Sequence, residues 1–469
     1  MILNHISAEA RPTLKLAAPL IVAFLGQQLI AIVDTFVSGQ LGVEALAAVS
    51  LGSALFFLIT IFPMGLLMGL DPVIAQALGA QQFDVAWRAC RRGIGLALLL
   101  SLFTTLILAL SALEGWPWSP PGAVTEAVSD YLTGRMWCVP LFLMHTCLRS
   151  FLQAHERGGV ILAGTGISNI LNLLLSVYLS GGDALFSQIF GVRAITLGFT
   201  GWGTLGIGVA STIVLGVEVL FLYKIARRIG RLARVNAEPT PSDQGERQLP
   251  PEWVNDWRTL CRVGAPIGGS MLSEGGVFCL STLLVSAWST VSIGAHQVVM
   301  ILCSTSFMVC LGIANATCVR VGHAFGAQSR ERARAAALVG LSLSVAVMSC
   351  SAIAFIVGSR EIASLLTADS EVISLCVELL RIVIVFQLFD GVQTTMAAAL
   401  RGAGYTRIPF ISALVSHWGV GLPLGLYLAF TLKLEVVGLW WGLSGGLISA
   451  AVILTCSFFW LTRGQNKIS

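Results

Sequence analysis

Charge is what this sequence has least of. Only 11% of its 469 residues are charged, against about 25% in a typical soluble domain. Hydrophobic residues make up 56%. A chain this long could bury a large core, but in water it would still need a charged surface. That shortage excludes a water-soluble fold and leaves lipid as the main solvent. Catalytic patterns are missing too. There is no H-E-x-x-H and no Walker lysine loop, so no enzyme activity and no ATP-driven pumping are expected. No cofactor is implied, and a stored ion gradient becomes the natural energy source. The eleven cysteines show neither metal-ligand spacing nor a disulfide framework. Most lie in apolar runs, where free Cys behaves as a small hydrophobe. A cleavable signal peptide is not expected, because residues 1–15 are mixed and polar and the first apolar stretch is too long for an h-region. A net charge of +4 is too small to imply nucleic acid.

What the sequence has is a succession of long apolar stretches: 14–38, 46–78, 93–113, 126–149, 160–180, 196–226, 262–288, 295–325, 333–357, 371–398, 408–430 and 436–461. Each is long enough to cross a bilayer as a helix. The fold class is therefore an all-α integral membrane protein of about twelve transmembrane helices. The 49 Gly fit, since small residues let membrane helices pack closely. Pro63, Pro140, Pro266 and Pro423 fall inside spans and should bend helices without ending them. With the N-terminus inside, 23 of the 28 Lys and Arg lie on the inner side, and only Arg193, Arg360 and Lys433 lie outside. The positive-inside rule then puts both termini in the cytoplasm of a multi-pass protein. The expected location is a bacterial inner membrane.

The two halves repeat. "AAP" at 17–19 matches "GAP" at 264–266, and "GAQ" at 79–81 recurs at 326–328, both at an offset of 247. "FLQAHERGG" near 151 aligns with "ALRGAGYTR" near 399 at an offset of 248. Six spans return the chain to its starting side, so the repeat is parallel, with two pseudo-symmetric six-helix lobes and a cavity expected between them. The expected division is an N-lobe at 1–226, a cytoplasmic linker at 227–258 and a C-lobe at 259–469. The linker is the only long polar segment.

Several acids sit where lipid should be. A carboxylate at mid-span costs about 2.5–3.5 kcal/mol on insertion scales. Asp34, Glu274 and Asp390 have no basic residue within a turn or two of their own helix. Each must be protonated, bind a cation or face water, or else serve as a hydrogen-bonded structural acid. Glu378 and Arg381 are three apart and can pair locally. Asp71, before Pro72, could cap a bent helix, and Glu218 is expected to snorkel beside Lys224. At offset 247, Asp34 aligns with Ser281 and Glu274 with Gln27, so the acid sits on different turns and the lobes should differ chemically. Gln27, seven residues before Asp34 on the same helix face, is an expected neighbour of it, and Asn172 adds polarity to span 5. His296, Gln297 and His417 add polarity to spans 8 and 11 as cavity candidates, although a lone His in a bundle is more often a packing residue.

These residues resemble the multidrug and toxic compound extrusion (MATE) family, in its NorM-like bacterial branch. The resemblance covers roughly 12–462. It is carried by "VDTFVSGQLGVEALAAVSLG" (33–52), "AQALGAQ" (75–81), "GAPIGGSMLSEGGVFCLS" (264–281), "IGAHQVV" (293–299), "VRVGHAFGA" (319–327), "FQLFDGVQTTMAAALRGAGYTRIPF" (386–410) and "HWGVGLPLG" (417–425). It implies two six-helix lobes in a V, exporting organic cations such as drugs and dyes in exchange for Na⁺ or H⁺ by alternating access. Glu274 and Asp390 match the acids of the family's C-lobe cation site, where any Na⁺ would bind. Asp34 matches the proton- or substrate-linked N-lobe acid, with Asn172 beside it. Many relatives carry Tyr four residues before the span-10 acid; Phe386 stands here without the hydroxyl. Some carry an acid four residues after Asn172, where this chain has Ser176. The expected partners are small organic cations and membrane lipid, and a monomer is expected. The alternative is a flippase for lipid-linked or polysaccharide precursors, which would want a basic cavity, whereas the charges within these spans are mostly acidic.

Overall fold

The computed structural model describes residues 2–113, 122–191, 198–235 and 257–463, and among them every regular element is helical. Among the described residues eleven helices are long and apolar enough to cross a membrane. The fourth expected span, 126–149, is two shorter helices, Ala123–Arg135 and Cys138–Ala154, parted at Met136 and Trp137. Pro140 lies in the first turn of the second piece, where its missing N–H costs nothing. Pro63 and Pro266 remain inside continuous helices, Val43–Leu67 and Trp257–Ser286. After Pro63 the chain bends at Met68 and Gly69 and resumes as Leu70–Gly79, with Asp71 in its first turn. Pro423 opens the short helix Leu422–Leu426, set between π-helical turns at Leu414–Gly421 and Tyr427–Thr431. The stretch 227–258 begins as the end of helix Gly203–Val235, and its residues 236–256 lie outside the described set, as does Arg193.

The repeat extends to backbone hydrogen bonds. Ala80, Gln81 and Gln82 donate to the carbonyls of Gln76, Leu78 and Ala77, while Ala327, Gln328 and Ser329 donate to those of His323, Phe325 and Ala324. Every pair is 247 residues apart. Gln81 and Gln328 take the same left-handed conformation, φ +62° and +56°. The turn after Cys138–Ala154 repeats at offset 248: His155, Glu156 and Arg157 bond Phe151, Gln153 and Leu152 as Ala403, Gly404 and Tyr405 bond Ala399, Arg401 and Leu400.

The chain forms two compact units, one of residues 1–24, 71–82 and 262–469, the other of 25–70 and 83–261. In the first, helix Thr290–Gly326 packs against Arg330–Val357 and Ser370–Gly402, and the latter against Glu435–Leu461. Leu70–Gly79 crosses the end of Thr290–Gly326 reciprocally: a Cβ on Gly79 would strike the His323 carbonyl, and one on Gly326 the Gln76 carbonyl. His323 and Gln76 are themselves repeat mates, so the crossing has local two-fold symmetry. Gln76 Nε2 also donates to the Gly402 carbonyl at 2.9 Å. Glu9, buried in the same unit, accepts from Arg320 Nε at 2.8 Å and Nη2 at 2.6 Å, and from Arg332 Nε at 2.6 Å. In the second unit, Gly203–Val235 packs against Ala123–Arg135, Cys138–Ala154 and Gly158–Phe190.

Candidate cation sites

Asp34 lies on the first helix, Ile2–Leu41, and is 4% exposed. Asn172 and Ser176, four apart on Gly158–Phe190, share a helix face. Asn172 Nδ2 donates to Asp34 Oδ1 at 3.1 Å and Ser176 Oγ to the same oxygen at 3.2 Å. Ser211, from Gly203–Val235, donates to Oδ2 at 3.2 Å. Arg135 ends helix Ala123–Arg135. Its Nη1 donates to Ser211 Oγ at 3.1 Å and stands 3.6 Å from Asp34 Oδ2. The guanidinium lies over the rings of Phe56, 4.7 Å away, and Tyr131, 5.5 Å away. Three donors and a cation thus converge on the Asp34 carboxyl.

The expected partner Asn172 is in this cluster. Gln27 is half-buried two turns along the helix, about 10 Å away, and takes no part in the cluster's hydrogen bonds. Arg135 and Ser211 were not anticipated. An Arg within a span is itself costly and needs a carboxylate, which is the signal that could have found Arg135. No periodicity on the first helix could, because the partner arrives from another helix.

In the other unit, Glu274 Oε1 accepts from Gln393 Nε2 at 3.1 Å. Asp390, buried one turn before Gln393, accepts from Thr394 Oγ1, at 3.5 Å. Gln393, one turn from Asp390 and bonded to Glu274, brings the two acids into one neighbourhood. Among the described residues neither acid has a Lys, Arg or His at ion-pair distance. Gln393 Oε1 is buried without a hydrogen-bond partner, a further oxygen on the amide that bonds Glu274. Two like charges in an apolar interior cannot both persist uncompensated. An all-oxygen donor set suits a hard monovalent cation or a proton.

The cavity candidates do not join these acids by hydrogen bonds. Phe386 is buried against Phe278 and Trp440, with ring centroids 6.1 and 5.4 Å away. His296 is fully buried, its Nε2 3.0 Å from Thr282 Oγ1 and its ring 5.6 Å from Trp440. Gln297, next to it, is exposed. His417 is buried in the π-helical turn, and its neighbour Trp418 donates from Nε1 to the carbonyl of Ser273, the residue before Glu274, at 3.1 Å. Two expectations fail. Glu378 and Arg381 are both exposed and form no ion pair among the described residues. Glu218 does not snorkel toward Lys224: it is 5% exposed and takes its partners from two other helices.

The MatE family model matches residues 19–178 and again 266–427, two copies whose starts are 247 apart. A probable multidrug resistance protein NorM of Deinococcus radiodurans is 34% identical over 97% of this chain and 96% of its own. One of Xylella fastidiosa is 33% identical, covering 97% and 93%. The multidrug resistance protein NorM of Aliivibrio fischeri is 31% identical over 97% and 95%. Among solved structures, the Vibrio cholerae MATE transporter VcmN in its bent form superposes with a TM-score of 0.81 at 19% identity, covering 98% of each chain. The eukaryotic MATE transporter AtDTX14 does so at 0.80 and 17%, covering 97% of this chain and 96% of that one. The duplicated match, the full-length relatives and the shared helical fold agree: the chain is a multi-pass membrane transporter of the multidrug and toxic compound extrusion (MatE) family, in its NorM-like branch.

Proposed function

We propose that this transporter exports organic cations from a bacterial cytoplasm by alternating access, in exchange for Na⁺ or H⁺. Glu274 and Asp390 hold a cation in the C-terminal half, and Asp34 is the proton- or substrate-linked acid of the N-terminal half. The observation that carries this reading is the Glu274–Asp390 pair, two acids on facing helices without a basic partner among the described residues. Such a pair attracts one cation at a time, and competition for it is the simplest form of coupling. Asp34 differs, because Arg135 already neutralises it. A proton or cationic drug reaching Asp34 displaces Arg135, whose guanidinium then has the faces of Phe56 and Tyr131 to rest on. Since Arg135 is matched by Asp34, it is not a free basic site for a pyrophosphate, which counts against a lipid-precursor flippase.

Moving one charge is worth about 2.3 kcal/mol per 100 mV. One-for-one exchange of monovalent cations is electrically silent and uses only the ion's chemical gradient. The test is efflux of a lipophilic cationic dye from liposomes holding purified protein, with Na⁺ and proton gradients imposed separately. Efflux driven by one gradient and competed by other organic cations is expected. Transport of anions alone would overturn the reading.

A further inference from the structure

Two titratable side chains buried in the N-terminal half are not yet given a role in this exchange. Glu218, on Gly203–Val235, is 5% exposed, and His145, on Cys138–Ala154, is 4% exposed. His145 Nε2 stands 3.4 Å from Glu218 Oε1, at ion-pair distance but short of full hydrogen-bond geometry. Ser168 Oγ donates to Glu218 Oε2 at 2.8 Å and Thr165 Oγ1 to Oε1 at 3.3 Å. A buried ion pair is a poor source of stability, because desolvating both partners costs about what their attraction returns. An apolar pair of similar volume would pack there more cheaply.

Position sets this pair apart from a local brace. Ser168, which bonds Glu218, and Asn172, which bonds Asp34, are four apart on one helix face, with Cβ atoms about 6 Å apart. Ser211 and Glu218 are likewise seven apart on one face of Gly203–Val235. The two carboxylate clusters therefore lie on the same two helices, one turn apart on Gly158–Phe190 and two turns apart on Gly203–Val235. The repeat adds an independent pointer. The offset of 248 that relates the helix ends carries His145 onto Gln393, the residue that binds Glu274 in the other half. The same fold position holds an amide bound to a transport-site carboxylate there and a titratable base beside a carboxylate here.

The helices packed around this pair carry Asp84, Arg88, Arg91 and Arg92 on Phe83–Ser111, Glu126, Asp130 and Arg135 on Ala123–Arg135, Arg149 on His145's own helix, and Lys224, Arg227, Arg228 and Arg231 on Glu218's own helix. Glu44 on Val43–Leu67, and Tyr178 and Asp183 on Gly158–Phe190, lie toward the opposite ends of theirs. His145 is the partner at ion-pair distance from Glu218.

We propose that His145 and Glu218 form a second proton site of the N-terminal half, which takes up and releases the coupling proton in step with Asp34. The chemistry is a single proton transfer. Uptake converts neutral imidazole beside carboxylate, net charge −1, into imidazolium beside carboxylate, net charge zero, and release reverses it. No other bond changes. The proposal rests on the antiport reading and adds that a proton is the coupling ion in this half.

The test is proton-driven efflux of tetraphenylphosphonium from proteoliposomes across a pH series. The proteins are wild type, Glu218→Gln, Glu218→Asp, His145→Gln and the double variant His145→Gln/Glu218→Gln, which reproduces the neutral amide of Gln393. Wild-type efflux should change by up to about tenfold per pH unit on its titrating limb, the span of one titrating proton. Both single amide variants should flatten that limb, and Glu218→Asp should restore it. If one amide variant is not recovered as a monodisperse protein, the double variant carries the same reading. A uniform fall in efflux at every pH, with the slope kept, would make the pair structural and overturn the proposal, as would wild-type efflux driven by Na⁺ with a flat pH profile. Absence of wild-type efflux under either gradient would instead fail the antiport reading.

Discussion

Replacing Asp390 by Asn should leave the ion-free protein as stable as before or more so, while the same change at Asp34 should weaken it. Asp390 accepts one hydrogen bond, from Thr394 at 3.5 Å, beyond the good range for an O–H···O bond. The amide in its place therefore gives up little internal pairing and relieves the repulsion from Glu274. At a helix spacing of 8–10 Å and an effective dielectric of about 20, that repulsion is about 2 kcal/mol. Asp34 instead accepts from Asn172, Ser176 and Ser211 and faces Arg135 at 3.6 Å. At the same dielectric the ion pair is worth about 4–5 kcal/mol before desolvation. Removing one member of a buried pair costs about 3–5 kcal/mol. Arg135 keeps 19% of its side chain exposed, which places the loss near about 3 kcal/mol.

Thermal unfolding in detergent, followed by fluorescence of the 12 Trp, reads both changes. Repeating it in Na⁺, in choline and across pH adds the ion response. An ion present at 100 times its dissociation constant stabilises the wild type by about 2.7 kcal/mol, and Asp390→Asn should lose nearly all of that gain. A large loss of stability in Asp390→Asn, a wild-type ion response in it, or a neutral Asp34→Asn would each refute the assignment of an open acid pair in one half and a tethered ion pair in the other.

Three further outcomes follow from the same geometry. Arg135→Gln combined with Asp34→Asn should show a coupling of about 2–3 kcal/mol in a double-mutant unfolding cycle, and simple additivity would dissolve the pair. Phe386→Tyr puts a hydroxyl among Phe278 and Trp440, so unfolding should show a cost of about 1–3 kcal/mol for a buried group without a partner; unchanged stability would mean the hydroxyl reaches an acceptor. Gly79→Leu and Gly326→Leu each drive a side chain into the other helix's backbone, and by their repeat relation both should destabilise by about 1–3 kcal/mol or more. A tolerated leucine at either position would contradict the reciprocal crossing.

The spans were legible because lipid demands long apolar runs, and the repeat was legible because its turns need the same residues twice, as at Gln81 and Gln328. The broken fourth span was not, since hydropathy registers neither the parting at Met136 and Trp137 nor its consequence, an Arg135 free to turn inward. Asp34 and Asn172 could be paired only through the family resemblance. Ser211 carried no signal, being one hydroxyl among many in an apolar helix. Glu218 was misread because its proximity in sequence to Lys224 outweighed what only packing reveals, His145 on one neighbouring helix and Ser168 on another. Gln393 was overlooked for the same reason: three residues beyond Asp390, it serves a different acid.

The central claim, that Glu274 and Asp390 couple cation binding to export, is tested most directly by comparing wild type and Asp390→Asn in the same liposomes. Ion-gradient-driven efflux of a lipophilic cation is measured per inserted molecule. The account predicts normal insertion of Asp390→Asn and loss of gradient-driven efflux. Undiminished coupled efflux from Asp390→Asn would contradict it.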